Sequence, residues 1–192
     1  MSTLTERDQK VIWHPYTQEK TAAPPLPIVR GEGPFLIGEK EERYLDAVSS
    51  WWVNLHGHSH PYIAEKVYNQ LLTLEHVIFA GFTHPPAVEL AERLLTHLPD
   101  QQARIFYSDN GSTAVEIGIK MARQYFYNQD KKRSKLVAFN EAFHGETFGA
   151  MAASGDHDFN RAFHDDLFDV WRIPAPVDQQ RTQKALEQLE KH

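Results

Sequence analysis

The pattern of hydrophobic and polar positions changes near residue 60. Before this point, short apolar runs at 34–37 and 43–46 flank a polar turn and predict small antiparallel strands. After it, apolar positions recur at helical spacing, and the predicted helices span 61–74, 85–98, 114–127, 147–153 and 181–192. Between them, short apolar segments predict strands at 105–108, 136–139 and 170–173. This alternation predicts an α/β fold with a largely parallel sheet covered by helices.

The chain is divided at this change of pattern. Residues 1–30 are expected to form an arm, because Pro24, Pro25 and Pro27 disfavour helix and favour an extended path. We therefore predict one segment of arm and small strands over 1–60, and the first part of a larger domain over 61–192. Because few strands precede the last predicted helix, we expect the chain to be the front portion of a longer protein.

Composition excludes several classes of protein. The net charge of −6, with mixed signs, argues against a nucleic-acid surface, and the basic run at 131–133 is expected to be a solvated turn. The absence of cysteine excludes disulfides, thiolate metal sites and a thiol nucleophile. The N-terminus lacks the apolar core of a signal peptide, and no apolar run is long enough to span a membrane. We therefore expect a soluble cytoplasmic protein that binds neither nucleic acid nor membrane.

The turn between the predicted strand 105–108 and the helix after it carries the first candidate site. Gly111, Ser112 and Thr113 open this helix with backbone N–H groups and two hydroxyls, and the helix dipole favours negative charge there. These features are typical of a phosphate-binding helix start. The alternative is a capping box in which Thr113 pairs with Glu116 and only starts the helix.

A second turn, at 140–147, follows the predicted strand 136–139. It places Phe143 and His144 at the same end of the sheet as the first turn, where ligands bind in such folds. An aromatic ring beside a phosphate site suits a planar ring cofactor, which stacking would orient. The alternative is that Phe143 belongs to the core and His144 bonds the backbone.

A third cluster, at 49–61, contains paired tryptophans and alternating histidines. Trp51 and Trp52 would line a pocket for an apolar substrate or fill the core. His56 and His58 have the His-x-His spacing of some metal sites, although Gly57 gives the segment a simpler role as a turn before a helix.

Taken together and in order, these motifs resemble the class III aminotransferases, which are pyridoxal-phosphate enzymes of fold type I. The resemblance covers essentially the whole chain, and the segments that carry it are Gly31–Pro34, Tyr44–Asp46, Gly57–Pro61, Asp109–Ser112 with Glu116 and Lys120, and Phe143–Ala150. Three further segments resemble a subgroup of the family that acts in biotin biosynthesis, namely Trp13–Gln18, Ser49–Trp52 and Ser112–Glu116.

The resemblance implies a role for six residues. It implies that Gly111 and Ser112 hold the cofactor phosphate and that Phe143 stacks on the pyridine ring. The residues implied to line the substrate pocket are Tyr16, Trp51 and Trp52. The family usually has tyrosine at position 143 and serine at position 110, where this chain has Phe143 and Asn110. Individual hydrogen bonds of the family are therefore in question at these two positions.

The resemblance also implies an activity. The subgroup moves the amino group of S-adenosylmethionine through pyridoxal phosphate to 8-amino-7-oxononanoate, which gives 7,8-diaminononanoate. The family needs a lysine that binds the cofactor covalently, an aspartate for the pyridine nitrogen and an arginine for the substrate carboxylate. The resemblance implies that all three lie beyond residue 192 and that a homodimer completes the active site. We therefore predict no catalytic residue and no metal site in this chain.

Three alternatives remain open at the level of sequence. The first is another class III omega-aminotransferase, including one that uses lysine as the amino donor. The second is a catalytically incomplete fragment that only binds a ligand or acts as a structural piece. The third is a metal-dependent hydrolase built on His56 and His58.

Overall fold

The computed structural model describes residues 2–191. In chain order, the elements of this part of the chain are α1 (Leu4–Asp8), β1 (Ile28–Glu32), β2 (Phe35–Gly38), β3 (Arg43–Leu45), α2 (Ser49–Trp52), α3 (Pro61–Thr73), α4 (Pro85–Leu95), α5 (Gly111–Tyr127), β4 (Leu136–Phe139), α6 (Phe148–Ala153), a 3-10 helix (Arg161–Asp166), β5 (Val170–Ile173) and α7 (Gln179–Glu190). They fall into two compact units, one ending at Val88 and the other beginning at Glu89. The division predicted between residues 60 and 61 stays a prediction.

The first unit contains a three-stranded antiparallel sheet in the order β1-β2-β3. The antiparallel strands at 35–38 and 43–45 confirm the prediction, and β1 adds a strand that the sequence pattern did not reveal. Ile37 is buried at the centre of this sheet, with 1% of its surface exposed. Beyond the strands, Gly33 and His58 form an isolated antiparallel bridge, which ties the segment before α3 to the sheet.

The second unit contains a parallel pair of strands, β4 and β5, with Leu136 opposite Val170 and Phe139 opposite Ile173. This confirms the predicted parallel pairing. Five residues of α6 are buried, and they form the core of the unit together with Val170, Ile173 and Ala185. Four of these five helix residues are glycine or alanine, whose small side chains favour close packing.

The predicted strand at 105–108 is not formed. Neither of the two sheets among residues 2–191 includes this segment, although its apolar side chains suggested a strand. A strand exists only through its hydrogen-bonded ladder with a neighbour, and an apolar run alone does not supply that neighbour.

The predicted start of α5 is also corrected. The helix begins at Gly111 instead of about Ala114, and Asn110 is its N-cap. The Asn110 side chain accepts from the Thr113 N–H at 3.0 Å, and the Thr113 hydroxyl accepts from the Asn110 N–H at 3.1 Å. The alternative of a capping box between Thr113 and Glu116 is not formed, because Thr113 is already the third residue of the helix.

The other predicted helices are found with shifted ends. The helix predicted over 85–98 ends at Leu95, and the helix predicted over 181–192 begins at Gln179, where Asp178 caps it. Residue 192 lies outside the described residues. Within residues 2–191, no helix has both the length and the apolar character needed to cross a membrane.

Candidate functional site

The N-terminus of α5 meets the loop after β4 at Ser112. The Ser112 hydroxyl accepts a hydrogen bond from the Glu146 backbone N–H at 3.2 Å. Gly145 has a φ of +129°, and a Cβ atom at this position would overlap the Ser112 side chain. Both the backbone conformation and the close approach therefore require glycine at position 145. The two turns selected from the sequence thus lie in direct contact.

The same helix start has the features of an anion site. The N–H groups of Thr113 and Ala114 bond to Asn110, whereas those of Gly111 and Ser112 precede the first intrahelical bond and emerge at the helix end. A Cβ atom at Gly111 would meet no other atom within 4 Å, so the space beside it is open. Two emerging N–H groups, a hydroxyl and the positive end of a 17-residue helix fit a phosphate group.

Phe143 lies in the loop after β4, and its side chain is largely exposed. Its ring centroid is 5.6 Å from that of His157, with the two planes tilted by 49°. Among the described residues, Phe143 is not one of the buried side chains that form the core of the second unit. The backbone N–H of His144 donates a hydrogen bond to the buried Ser154 hydroxyl at 2.9 Å.

Buried polar contacts fix the loop that carries Phe143 against the end of α6. Ser154 has no exposed surface, and its hydroxyl donates to the Ala150 carbonyl at 2.8 Å. The Gly155 N–H donates to the Ala142 carbonyl at 2.7 Å. Arg172, on β5, donates to the carbonyls of Ala152 and Ser154 at 3.1 and 2.7 Å and so caps the C-terminus of α6. The loop that carries the Phe143 side chain is therefore held in place by several hydrogen bonds.

Glu116 links the two helices of the site in a way that sequence reasoning missed. Its carboxylate, on α5, accepts from the backbone N–H groups of Gly149 and Ala150 at 2.7 and 3.2 Å, and so caps the N-terminus of α6. The Thr147 hydroxyl and these two N–H groups hold the pKa of Glu116 below its usual value. No local signal reveals this contact, because the partners lie more than thirty residues apart.

In the first unit, the predicted substrate residues include an aromatic pair. The ring centroids of Tyr16 and Trp51 are 5.5 Å apart, with the planes tilted by 46°. Tyr16, Trp51 and Trp52 are all exposed, at 60%, 71% and 75% of their surface. Within the first unit, these side chains are not part of the buried core.

The two tryptophans stand on a left-handed helical turn. Ser49, Ser50, Trp51 and Trp52 all have positive φ, between 47° and 72°. The N–H groups of Trp52 and Val53 donate to carbonyls four residues earlier, at 2.8 and 2.9 Å. Each such residue costs roughly 1–2 kcal/mol relative to a right-handed one, and left-handed runs are rare for that reason. Other contacts must therefore stabilise this turn.

Asp46 provides such contacts. Its carboxylate accepts from the backbone N–H and the hydroxyl of Ser50 at 2.9 and 2.7 Å, and it lies 2.8 Å from His58 Nε2. The Asp46 side chain is 6% exposed and that of His58 is 13% exposed. The Ser50 N–H and hydroxyl, assisted by His58, lower the pKa of Asp46 from 3.8 to about 2.

The histidines of this segment make contacts with side chains of the first unit. His58 directs Nε2 to Asp46, and the His56 ring makes an edge contact with His60, with centroids 6.2 Å apart. Over residues 2–191, no group of three histidine, aspartate or glutamate side chains is arranged to hold a metal ion.

Sequence comparison places this geometry in a known family. The sequence model of the family "Aminotransferase class-III" matches residues 16–192. The adenosylmethionine-8-amino-7-oxononanoate aminotransferase of Synechococcus elongatus is 50% identical over 165 residues, which are 86% of this chain and 39% of that protein. The enzyme of the same name from Geobacter sulfurreducens is 42% identical over 177 residues, or 91% of this chain and 39% of that one.

Structural comparison gives the same result. The crystal structure of adenosylmethionine-8-amino-7-oxononanoate aminotransferase from Methanocaldococcus jannaschii has a TM-score of 0.91 at 39% identity, over 98% of this chain and 44% of that one. An omega transaminase from Pseudomonas jessenii, in complex with PMP, has a TM-score of 0.87 at 24% identity, over 99% and 45% of the two chains, and is similar in fold alone.

The chain spans about two fifths of the length of these curated relatives. Over that span, the mixed α/β structure matches those of fold type I pyridoxal-phosphate-dependent aminotransferases. The resemblance noted from the sequence is thereby confirmed, and the chain belongs to the class III aminotransferase family.

Proposed function

We propose that the full-length protein carrying this sequence is a pyridoxal-phosphate-dependent aminotransferase of biotin biosynthesis. It transfers the amino group of S-adenosylmethionine to the ketone of 8-amino-7-oxononanoate. The products are 7,8-diaminononanoate and the keto acid derived from the donor, so the amino group and the carbonyl oxygen exchange places. The relatives that carry this enzyme's name, at 42–50% identity, support this choice of reaction.

The contact between Ser112 and Glu146 is the observation that supports the cofactor site best. It joins an open helix start to the loop of Phe143, and a phosphorylated ring needs both an anion site and an aromatic face. In this proposal, Gly111 and Ser112 hold the phosphate through N–H groups and a hydroxyl, and Phe143 orients the ring. Pyridoxal phosphate, when bound, supplies the electron sink that lets an amino group leave one carbon and join another.

The exposed aromatic cluster of the first unit supports a substrate-binding role. Most of 8-amino-7-oxononanoate is a methylene chain, and indole faces bury such a chain favourably. Trp51 and Trp52 supply those faces, and the Tyr16 hydroxyl supplies a polar group for an amine or carboxylate end. These three residues are therefore proposed to bind the keto substrate.

The covalent lysine is proposed to lie outside this sequence. A reactive lysine is held in a buried or charge-tuned environment, and within residues 2–191 each of the ten lysines is exposed. Lys120, the lysine on α5, lies more than two turns from the phosphate-binding end of that helix. The aspartate, the arginine and a partner subunit in a cytoplasmic homodimer belong to the same proposal.

A product assay tests the reaction. Purified full-length protein, loaded with pyridoxal phosphate, is incubated with 8-amino-7-oxononanoate and one amino donor at a time: S-adenosylmethionine, lysine or β-alanine. We expect 7,8-diaminononanoate, measured by mass spectrometry, with S-adenosylmethionine. If 7,8-diaminononanoate forms only with lysine, lysine is the amino donor. If the protein instead transfers the amino group of β-alanine to a simple keto acid, it is another omega-aminotransferase. No amino transfer with any donor would refute the proposal.

A further inference from the structure

The left-handed turn of α2 is the most unusual piece of backbone among the described residues. Four consecutive residues without glycine hold positive φ, and the two tryptophans are the last of them. Such conformations persist where surrounding contacts determine them, and they concentrate at functional sites. The direction in which Trp51 leaves the backbone therefore depends on whatever holds this turn.

The contacts that hold it form a short chain through Asp46. The carboxylate bonds both the backbone N–H and the hydroxyl of Ser50, the second residue of the turn. Its other partner is His58 Nε2, at 2.8 Å. A single carboxylate therefore connects the turn to the segment that precedes α3.

His58 in turn is fixed to the sheet. Its backbone N–H donates to the Gly33 carbonyl at 2.7 Å, and the Gly33 N–H donates back to the His58 carbonyl at 3.3 Å. Gly31 lies against the imidazole so closely that a Cβ atom there would overlap it. The neighbouring Ser59 hydroxyl donates to the Gly31 carbonyl at 2.9 Å. The imidazole thus has a fixed position from which it orients Asp46.

We propose that Asp46 and His58 are positioning residues that hold the left-handed turn, so that Trp51 stays beside Tyr16 in the shape required by the keto substrate. This inference rests on the proposed function, in which Trp51 binds that substrate. Neither residue touches substrate. They act through Ser50, and their effect is on substrate affinity and not on the chemistry.

The expected effect follows from the bonds that are lost. Asp46→Ala removes both hydrogen bonds from Ser50 and the contact with His58, and the turn can then relax to the commoner right-handed conformations. We expect the KM for 8-amino-7-oxononanoate to rise about tenfold, because one charge-assisted hydrogen bond is worth at least that factor. We expect kcat and the dissociation constant of pyridoxal phosphate to change less than twofold.

A double-mutant cycle in the full-length holoenzyme distinguishes positioning from general stability. The cycle contains Asp46→Ala, Trp51→Ala and the double variant, with the KM for the keto substrate as the readout. If Asp46 acts through Trp51, the two effects are not additive, and Asp46→Ala has little further effect once the indole is gone. Asp169→Ala is the matched control, since it removes an exposed aspartate that pairs with Lys135 in the second unit.

Each result of the cycle has one meaning. A higher KM for both single variants, without additivity, supports the inference. The positioning role is refuted if Trp51→Ala raises KM and Asp46→Ala does not. It is also refuted if the two factors in KM multiply, which means that the two free-energy effects are additive. In both cases the proposed role of Trp51 in substrate binding is unaffected. If Trp51→Ala itself leaves KM unchanged, the proposed role of the tryptophan fails, and the inference fails with it.

A second variant covers the case in which Asp46→Ala does not give folded protein. Asp46→Asn keeps an oxygen to accept from Ser50, and Ser50→Gly added to it makes positive φ available without steric cost. We expect Asp46→Asn to raise KM by a smaller factor and Ser50→Gly to recover part of that rise. An unchanged KM for Asp46→Asn, or no recovery with glycine, would refute the inference.

Discussion

Glu116 of α5 accepts hydrogen bonds from the first turn of α6, with its Oε1 atom 2.7 Å from the Gly149 nitrogen. A carboxylate on one helix thereby caps another, and it satisfies N–H groups that would otherwise lack a partner. Glycine at position 149 permits this contact, because a Cβ atom there would overlap the Glu116 carboxylate. The orientation of α6, and of the loop before it, therefore depends on a residue of the proposed phosphate-binding helix.

The Glu116 cap predicts a loss of stability. Glu116→Ala leaves the N–H groups of Gly149 and Ala150 without their acceptor, and we expect the free energy of unfolding to fall by about 1–2 kcal/mol. Glu116→Gln keeps one acceptor oxygen and should cost less. Urea unfolding of the full-length apoprotein measures both. Equal stability of wild type and Glu116→Ala would show that the contact contributes nothing.

The depressed pKa of Asp46 predicts a pH dependence. A group whose pKa falls on folding, here from 3.8 to about 2, stabilises the protein above its unfolded pKa. That contribution is lost as the pH falls from the first value through the second. Wild type should therefore lose more stability than Asp46→Asn between pH 3.8 and pH 2.

Urea unfolding of wild type and Asp46→Asn at several pH values across this range measures the difference. Asp169→Asn serves as a control, because its pKa is also lowered, by Lys135, but the pair is exposed and should contribute little. Parallel curves for wild type and Asp46→Asn would contradict the role given to the carboxylate.

The aromatic cluster predicts that a substitution there affects substrate binding and leaves cofactor binding nearly unchanged. Trp51→Ala should raise the KM for 8-amino-7-oxononanoate far more than it changes the affinity for pyridoxal phosphate, because it removes a large apolar face. Tyr16→Phe should have a smaller effect, since it keeps the ring and loses about one hydrogen bond. Steady-state kinetics measures both. If Trp51→Ala instead unfolds the protein at ordinary temperature, the indole has a structural role that its exposure does not suggest.

Much of the fold was predictable because it depends on local signals. The helical spacing of apolar residues located the long helices, and the strands that became β4 and β5 were short apolar runs with a helix between them. The strand at 105–108 failed because pairing is not a local property. The predicted start of α5 lies about three residues too late, because Asn110 and Thr113 are both N-cap residue types and Asn110, the stronger of the two, caps the helix.

Family motifs suggested the residues of the candidate site, but their contacts were not predictable from the sequence. Family motifs identified Gly111, Ser112 and Phe143, and the structure brings Ser112 against the second turn. The Glu116 cap and the Asp46–His58 pair join residues that are distant in sequence or that belong to no recognised motif. The left-handed turn at Ser49–Trp52 was unforeseen for another reason, since positive φ is predicted from glycine or asparagine and this segment contains neither.

The most direct test of the cofactor site is the dissociation constant of pyridoxal phosphate, measured by visible absorbance on the full-length protein. We expect Ser112→Ala to weaken binding about ten- to a hundredfold, the worth of one charge-assisted hydrogen bond. Gly111→Val should weaken it further, because a Cβ atom at this position meets no other atom of the chain within 4 Å, whereas the added methyl groups would crowd a bound phosphate. Ser134→Ala, in the exposed segment before β4, should leave the constant unchanged. An unchanged dissociation constant for both Ser112→Ala and Gly111→Val would contradict the assignment of the phosphate to the start of α5.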